Sequence, residues 1–367
     1  MYYSTPVTPL LLYYFTTQLL YSCNPFTTQL LYLHLPAIFL TIATQYISRN
    51  SVITHVLKRL NIITLWLALG FMKASAQYDA TFSHYFDLEP TFNPAAVGKQ
   101  SKLNVTGAYA MNMAGFENNP RTMVLSADMP FAFAGMKHGA GVQLMNDQIG
   151  VFKHQRIALQ YAYKLNLLGG TLALGLQGAM LLENIDGTKL DPGEANDKAL
   201  PTSQETGNAI DLGTGLYYLA RTWYVGISGQ HLNAPTVEMG ERHEMHIDPT
   251  YYLTGGCNIS LRNPFVKIKP SALVRTDGTA YRADITTRVE YTNEKRLLYA
   301  GVSYSPTISV TGMIGGRFHG IVLGYSYEMY TTAIKPGNGS HELFVGYEQE
   351  LNFVKKGKNK HKSVRLL

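Results

Sequence analysis

From residue 101 to residue 353 the chain alternates apolar and polar positions with a period of two, the spacing that sends successive side chains to opposite faces of a strand. In 103–113, Leu103, Val105, Gly107, Tyr109, Met111 and Met113 alternate with Asn104, Thr106, Ala108, Ala110 and Asn112. Ile157, Leu159, Tyr161, Tyr163 and Leu165 do the same around Gln160, and Leu172, Leu174, Leu176, Gly178, Met180 and Leu182 around Gln177. Trp223, Val225 and Ile227 alternate with Tyr224, Gly226, Ser228 and Gln230. No long helical period with caps occurs after residue 77. The pattern predicts strands over 101–113, 121–129, 140–146, 154–165, 170–182, 209–219, 222–232, 250–262, 265–275, 280–291, 297–304, 307–316, 318–330 and 341–353.

These fourteen segments are long for globular sheets and match the roughly 9–11 residues of a tilted membrane-spanning strand. An even count places both ends of the chain in the periplasm, with short even-numbered connections there and longer odd-numbered ones outside. The fifth connection, "ENIDGTKLDPGEANDKALPTSQETGN", and the seventh, "NAPTVEMGERHEMHID", are long and polar, as required. Ala220-Arg221, Asn263-Pro264, "TNEKR" and Arg317 are brief, as required. Two connections break the rule: "PFAFAGMKHG" at 130–139 is too long for the periplasm, and the turn near Ser305-Pro306 is short for the outside. The expected fold is all-β: a transmembrane antiparallel barrel of about 14 strands, with the segment 77–100 packed in or under it. Leu, Val, Ile and Tyr rows face lipid, and Asn104, Thr106, Gln160 and Gln177 face the lumen. Tyr217, Tyr218, Tyr251, Tyr252, Tyr325, Tyr327 and Tyr330 suit an interfacial girdle. A soluble β-sandwich is the competing fold, and it calls for shorter strands and more charge.

The first 76 residues do not fit this pattern. Lys58 and Arg59, an apolar run over 60–71 and Ala74-Ser75-Ala76 have the layout of a secretory signal peptide, with the mature chain beginning at Gln77. The competing reading is a buried helix. Residues 1–57 carry no acidic residue and repeat Phe-Thr-Thr-Gln-Leu-Leu-Tyr at 15–21 and 26–32. They read as misassigned upstream translation, or alternatively as an unusual membrane anchor. The expected organisation is therefore 1–57 upstream, 58–76 signal peptide, 77–100 plug or periplasmic segment, 101–353 barrel and 354–367 basic periplasmic tail.

Composition sharpens this. Only Cys257 remains after residue 77, so a disulfide framework is excluded and the thiol reads as a small buried residue. The net charge of +6 is uneven: Arg49, Lys58, Arg59 and Lys73 precede Gln77, and Lys355, Lys356, Lys358, Lys360, Lys362 and Arg365 crowd the tail. The body between them is mildly acidic, which argues against a nucleic-acid-binding face. The tail reads either as a solvated end or as a dock for an acidic partner.

Candidate chemistry is sparse. His243-Glu244-Met245-His246 spaces its histidines by three, unlike the H-E-x-x-H zinc helix. Asp186, Asp191, Glu194 and Asp197 lack calcium-loop spacing, strand glycines such as those of "GLQGAM" precede no helix, and no G-x-S-x-G occurs. No enzyme activity, cofactor or metal site is expected.

The stretch "QYDATFSHYFDLEPTFNPAAVGK" carries Phe82-Ser83-His84-Tyr85-Phe86 and Asn93-Pro94-Ala95. With "VKIKPSALVR" at 266–275, "GVSYSP" at 301–306, "LGYSYE" at 323–328 and "SHELFVGYE" at 340–348, it resembles the PorP/SprF family of type IX secretion membrane proteins from Bacteroidetes. Phe82, Ser83, Tyr85, Phe86, Asn93, Pro94 and Ala95 are its motif residues. Ala80 stands where a Pro is common and His84 where a Gln is common. The resemblance implies an outer-membrane component of the type IX secretion and gliding machinery. Its implied partners are periplasmic lipoprotein and ring subunits, a peptidoglycan-binding partner protein and secreted cargo proteins. A channel or small-molecule uptake barrel is the alternative, set against the first reading by whether 77–100 fills the lumen.

Overall fold

The computed structural model describes residues 79–189, 203–240, 243–293, 296–332 and 338–351. The whole leader, Asp191, Glu194 and Asp197 of the fifth connection, and the basic tail with Lys355, Lys356, Lys358, Lys360, Lys362 and Arg365 lie outside the described residues.

A strand with one apolar and one polar face needs lipid on one side and a hydrated or packed interior on the other, and it leaves no edge unpaired only if the sheet closes. The sheet does close. Its first half comprises β1 (Lys102–Met111), β2 (Arg121–Phe133), β3 (Met136–Ile149), β4 (Phe152–Leu167), β5 (Gly170–Asp186), β6 (Gln204–Leu219) and β7 (Trp223–Gln230). After a separate hairpin of β8 (Thr236–Met239) and β9 (His243–His246) come β10 (Thr250–Cys257), β11 (Ile259–Ser260), β12 (Val266–Thr276) and β13 (Tyr281–Asn293). The last four are β14 (Arg296–Ser305), β15 (Ser309–Phe318), β16 (Ile321–Tyr330) and β17 (Ser340–Glu350). Each barrel strand pairs antiparallel with its sequence neighbours, β10 bonds both β7 and β12, and β1 closes on β17 from Lys102 opposite Glu350 to Met111 opposite His341. All fourteen expected strands are present.

β10 and β11 form one strand in a single register against β12, with Gly256 opposite Ser271 and Ile259 opposite Ile268. The ladder is interrupted where Pro270, which has no N–H to donate, stands opposite Cys257. Among the described residues no helix is long and apolar enough to cross a membrane; the strands do the crossing.

The outward rows are exposed for lipid, with Leu159 at 68%, Leu176 at 63% and Ile210 at 72%. The inward Gln160, Gln177 and Thr286 are buried. Two expectations are corrected here. Tyr217 and Tyr252 do not join the girdle: each is adjacent to an outward tyrosine, period two turns it inward, and both are buried in the lumen. Tyr330 turns inward as well, opposite buried Ser309 and with its hydroxyl against that of Ser340. The long connection at 130–139 does not exist either. β2 runs through Pro130 to Phe133, and a tight turn at Ala134 and Gly135, φ +51° and +79°, leads directly into β3. Pro130 lies beyond the last β1 partner of β2, Asp128, so the strand tolerates it. Similar two-residue turns with positive φ at both positions join β4 to β5 and β15 to β16. They sit at the end where β1 begins and β17 finishes, the periplasmic end of an outer-membrane barrel.

The β8–β9 hairpin, not foreseen in the seventh connection, folds against the inner wall at the opposite mouth. Val237, Met239 and Ile247 bury themselves with Leu181 and Ile185 of β5. At Gly207 of β6 an added Cβ would meet Glu238 O at 2.2 Å, so the hairpin backbone lies directly on the strand.

Candidate functional site: the plugged lumen

Residues 79–98 run through the barrel interior from the outer half to the periplasmic end. They touch strands all round the wall, which only a segment inside can do. At the outer end the Asp79 carboxylate accepts from the Tyr252 hydroxyl at 2.5 Å and faces His231 Nε2 at 3.2 Å. His231, one residue beyond β7, also faces Asp211 at 3.1 Å. Burial would raise the Asp79 pKa, but the charge of His231 and the hydrogen bonds hold it well below the usual carboxylate range. Burial would likewise lower the His231 pKa, and the two aspartates instead push it up to about 9. Arg275 donates to the carbonyl of Ala80 at 3.2 Å and to the Thr81 hydroxyl.

Next comes the aromatic motif. The backbone N–H groups of Ser83 and His84 both donate to the Glu342 carboxylate, at 2.6 and 3.0 Å, and His84 Nδ1 lies 2.6 Å from it. The His84 ring stacks on Phe344 at 5.5 Å. Tyr85 OH meets Ser271 Oγ at 2.9 Å, and the Phe86 ring lies under the Arg288 guanidinium, 3.3 Å from its carbon. Phe82 packs with Leu88 and Phe344. Phe86 and Phe92 pack with Tyr252, Leu273 and Met313.

Below this the plug is irregular, with 3-10 turns at Glu89–Thr91 and Pro94–Ala96. An irregular backbone inside a protein must find partners for its carbonyls. Wall side chains supply them: Gln160 donates to Pro90 O at 2.6 Å, Arg156 to Thr91 O at 3.1 Å, and Ser228 and Gln230 to Phe92 O at 2.7 and 3.0 Å. Gln160, Gln177 and Gln230 are themselves linked. Glu89 accepts from Tyr217 OH at 2.9 Å and pairs with Lys99.

The second motif fastens the lower turn. Asn93 caps it by accepting from Ala95 N at 2.9 Å, and its amide donates to Leu216 O at 3.1 Å. Pro94 pre-sets the turn and Ala95 and Ala96 are buried. The wall opposite has no side chains to obstruct it. A Cβ at Gly175 would stand 2.1 Å from Ala95 N, and one at Gly139 2.2 Å from Val97 O. These strand glycines exist for close approach of the plug. Gly98 N then donates to Asp128 at 2.6 Å, and Lys164 reaches Gly98 O.

Phe82, Ser83, Tyr85, Phe86, Asn93, Pro94 and Ala95, singled out from sequence, are thus brought together in one plug. Their partners were missed as site residues: Glu342, Arg275, Ser271, Arg288, Gln160, Gln230 and the inward glycines. A signal existed, because Ser271 and Arg275 lie in "VKIKPSALVR" and Glu342 in "SHELFVGYE". The plug motif and the wall motifs are two sides of one contact. His243 Nδ1 lies 2.8 Å from Glu205, and His246 Nε2 3.5 Å from Asp248, so each histidine of the HEMH stretch faces its own carboxylate.

Beneath the plug a cavity of about 430 Å³ opens at the periplasmic end, lined in part by Phe86, Asp87, Lys269, Arg288, Tyr299 and Phe344. At the other end the β8–β9 hairpin packs on β5 and β6.

A closed 14-strand barrel with lipid-facing rows, tight turns at one end and a seated internal plug defines an outer-membrane β-barrel protein whose lumen is filled. The family model described as "Type IX secretion system membrane protein PorP/SprF" matches residues 74–347, and the chain belongs to that family. It is therefore an outer-membrane component of the type IX secretion system that works with other parts of that machinery. No individually curated protein sequence matches the chain. Among solved structures it is similar to the Pseudomonas putida toluene transporter TodX, at 10% identity over 77% of this chain and 96% of that one, TM-score 0.44. A Pseudomonas aeruginosa FadL homologue is similar at 10% identity over 71% and 93%, TM-score 0.43. The Ralstonia pickettii toluene transporter TbuX is similar at 10% identity over 71% and 92%, TM-score 0.40. These values are far below the similarity at which a substrate or partner can be read across.

Proposed function

We propose that the protein is a non-enzymatic docking component that anchors periplasmic subunits of the secretion machinery to the outer membrane, and does not itself pass substrate. The observation that carries this reading is the plug. Its carbonyls, its motif side chains and its 3-10 turns are bonded to the wall from the Asp79 level to Gly98, and a recess lined by the lower plug and the wall lies at the periplasmic end. Binding at the periplasmic end suits lipoprotein and ring subunits and a peptidoglycan-binding partner. Export or surface attachment of cargo, and a part in gliding, would follow from that assembly. A channel or uptake barrel is disfavoured because its substrate would have to displace buried hydrogen bonds at every level.

Two further readings belong to this proposal. The basic tail 354–367 follows β17 from the periplasmic rim and docks an acidic periplasmic partner, steered by charge and sensitive to salt. Residues 58–76 are a signal peptide removed before Gln77.

The test is affinity purification of the mature barrel in mild detergent, with and without 355–367, over a salt series, beside single-channel recording. Periplasmic machinery components are expected to co-purify, less with the truncated form and less as salt rises, with negligible conductance. Porin-like conductance with no co-purifying component would overturn the docking reading. Retention of every partner by the truncated form at all salt concentrations would remove the tail from it.

A further inference from the structure

The wall closes at membrane level, but its strands do not all reach the same height. β6 pairs with β7 only from Thr214 opposite Gly229 to Leu219 opposite Tyr224, whereas its ladder with β5 continues outward to Gln204 opposite Asp186. Residues 204–213 therefore have a strand on one side only. Just above the β7 ladder, Leu232 N donates to Leu212 O at 2.9 Å. The Asn233 side chain accepts from Leu212 N at 2.9 Å and donates to Ile210 O at 2.7 Å. The even-numbered residues of this stretch thus turn their backbone groups away from β5. Beyond Asn233 the chain leaves this side of β6. β8 lies against the inner face instead, where a Cβ at Gly207 would meet Glu238 O, and bonds only β9. The backbone N–H and C=O groups of Thr206 and Asn208 consequently have no partner among the described residues.

A row of unpaired backbone groups is a template for another strand, and proteins blunt such edges with Pro, Lys or a bulge. None of these occurs here: 204–212 contains no Pro or Lys, and its register with β5 is unbroken. The outward side chains of Ile210 and Leu212 belong to the lipid-facing row, and the exposed Thr206 and Asn208 above them are polar, so the free edge emerges outside the membrane. A second copy of this chain does not fit it. β6 descends toward the periplasm in every inserted copy, so two such edges meet parallel, with the outward face of one continuing the inward face of the other. The charge beside the edge indicates what does fit. Glu238 and Glu244 stand directly opposite each other on the β8–β9 hairpin, both exposed, and neither forms an ion pair among the described residues. Like charges opposed across a ladder are destabilising, and a cation set against them relieves this.

We infer that the outer half of β6 takes up an extended, basic segment of another protein at the cell exterior as an added strand, its backbone bonded to Thr206 and Asn208 and its Lys or Arg side chains set against Glu238 and Glu244. The inference does not rest on docking at the periplasmic end: it concerns the opposite end of the barrel, and either can fail without the other.

The experiment is residue-resolved hydrogen exchange of the mature protein in detergent, alone and with three synthetic peptides at up to ~10 mM. The peptides are Thr-Lys-Val-Thr-Val-Lys, its fully N-methylated form, and its counterpart with Glu in place of Lys. In the protein alone, the Thr206 and Asn208 amides should exchange at least ~10-fold faster than those of Glu205, Gly207 and Ala209, which face β5. The Lys peptide should slow Thr206 and Asn208 at concentrations at least ~3-fold lower than the Glu peptide, and the methylated peptide should leave them unchanged. Asn208→Pro removes an N–H that the β5 ladder does not use, so the barrel should keep its heat-modifiable migration while the Lys peptide loses its effect at Thr206. Glu244→Gln should narrow the preference for the Lys peptide. The comparison of the three peptides on unaltered protein needs no variant, so misfolding of a variant does not shelter the idea. Slow exchange of Thr206 and Asn208 in the protein alone would show that this chain already covers its own edge and would overturn the inference. So would the absence of slowing by the Lys peptide, equal slowing by the methylated peptide, or equal action of the Lys and Glu peptides.

Discussion

Gly175→Ala should unseat the plug while leaving the barrel intact. Gly175 lies on β5, and its added Cβ would stand 2.1 Å from Ala95 N, 2.4 Å from Pro94 C and 2.5 Å from Ala95 Cα. All three are backbone atoms of a 3-10 turn and none can rotate away. Ordinary carbon contacts are ~3.5–4 Å, so the turn must retreat by roughly 1–1.5 Å. The Asn93 amide now reaches Leu216 O at 3.1 Å, and that retreat would carry it beyond hydrogen-bonding distance. Overpacking of this kind costs about 1–3 kcal/mol and the lost hydrogen bond about 1 more, together on the order of 2–4 kcal/mol against seating. Gly178 on the same strand is the control, because nothing lies within 4 Å of its Cβ and period two turns it to lipid. Gly178→Ala should fall within about 0.5 kcal/mol of the original. Trypsin cleavage at Lys99 and single-channel conductance report the plug, and heat-modifiable electrophoretic migration reports the barrel. Gly175→Ala should be cleaved faster and conduct more, with unchanged migration. If both variants resist trypsin and remain closed alike, the close approach at Gly175 does not hold the plug and the argument from the inward glycines is wrong.

Glu342→Ala removes the acceptor shared by Ser83 N, His84 N and His84 Nδ1, and should weaken plug seating by on the order of 2–4 kcal/mol, read as accelerated hydrogen exchange at 83 and 84 with the β17 ladder still protected. Seating should also depend on pH through the outer end of the plug. The His231 contribution is complete below its ordinary 6.5 and is lost as pH rises through about 9. The Asp79 contribution is complete above its ordinary 3.8 and is lost only in stronger acid. Protease resistance of the plug should therefore be greatest at mildly acidic pH and fall between pH 6.5 and 9, and Asp211→Asn should move that fall to lower pH. A flat profile across pH 6.5–9 would remove His231 from the latch. Mass spectrometry of the N-terminus should find Gln77, and recovery of peptides from 1–57 would contradict both removal of the leader and its upstream origin.

Strand number, strand order and the outward rows were legible because period two is a property of single positions and the sheet is built wholly from sequence neighbours. The boundaries shifted where a residue's local preference opposed its context. Pro130 and Gly135 read as a loop, yet β2 had already left β1 by Asp128 and could accept a proline. Tyr217 and Tyr252 read as girdle because a tyrosine at a strand end suits an interface, whereas alternation from Tyr218 and Tyr251 places them inside. The β8–β9 hairpin was not legible: each strand has four residues, too few for a period to show. The plug's existence could be read from an aromatic stretch ahead of the first strand. Its bonding could not, because the Glu342 contact joins residues 258 positions apart.

A polar lumen does not by itself indicate a pore. Inward Gln, Asn, Thr and charged residues satisfy a water-filled channel and a plugged barrel equally, since both need hydrogen bonding inside and hydrocarbon outside. The difference lies in what the inward positions bond. Gln160, Gln230, Ser228 and Arg156 bond plug carbonyls, and those carbonyls belong to a backbone with no sheet partner of its own. Removing the plug would leave the wall groups to water, which they tolerate. Removing the wall would leave the plug without structure. The dependence therefore runs one way: the barrel can form first and the plug folds onto it. A segment bound in that order, ending in a cavity open to the periplasm, can be reached by periplasmic ligands without any part of the barrel opening to the outside.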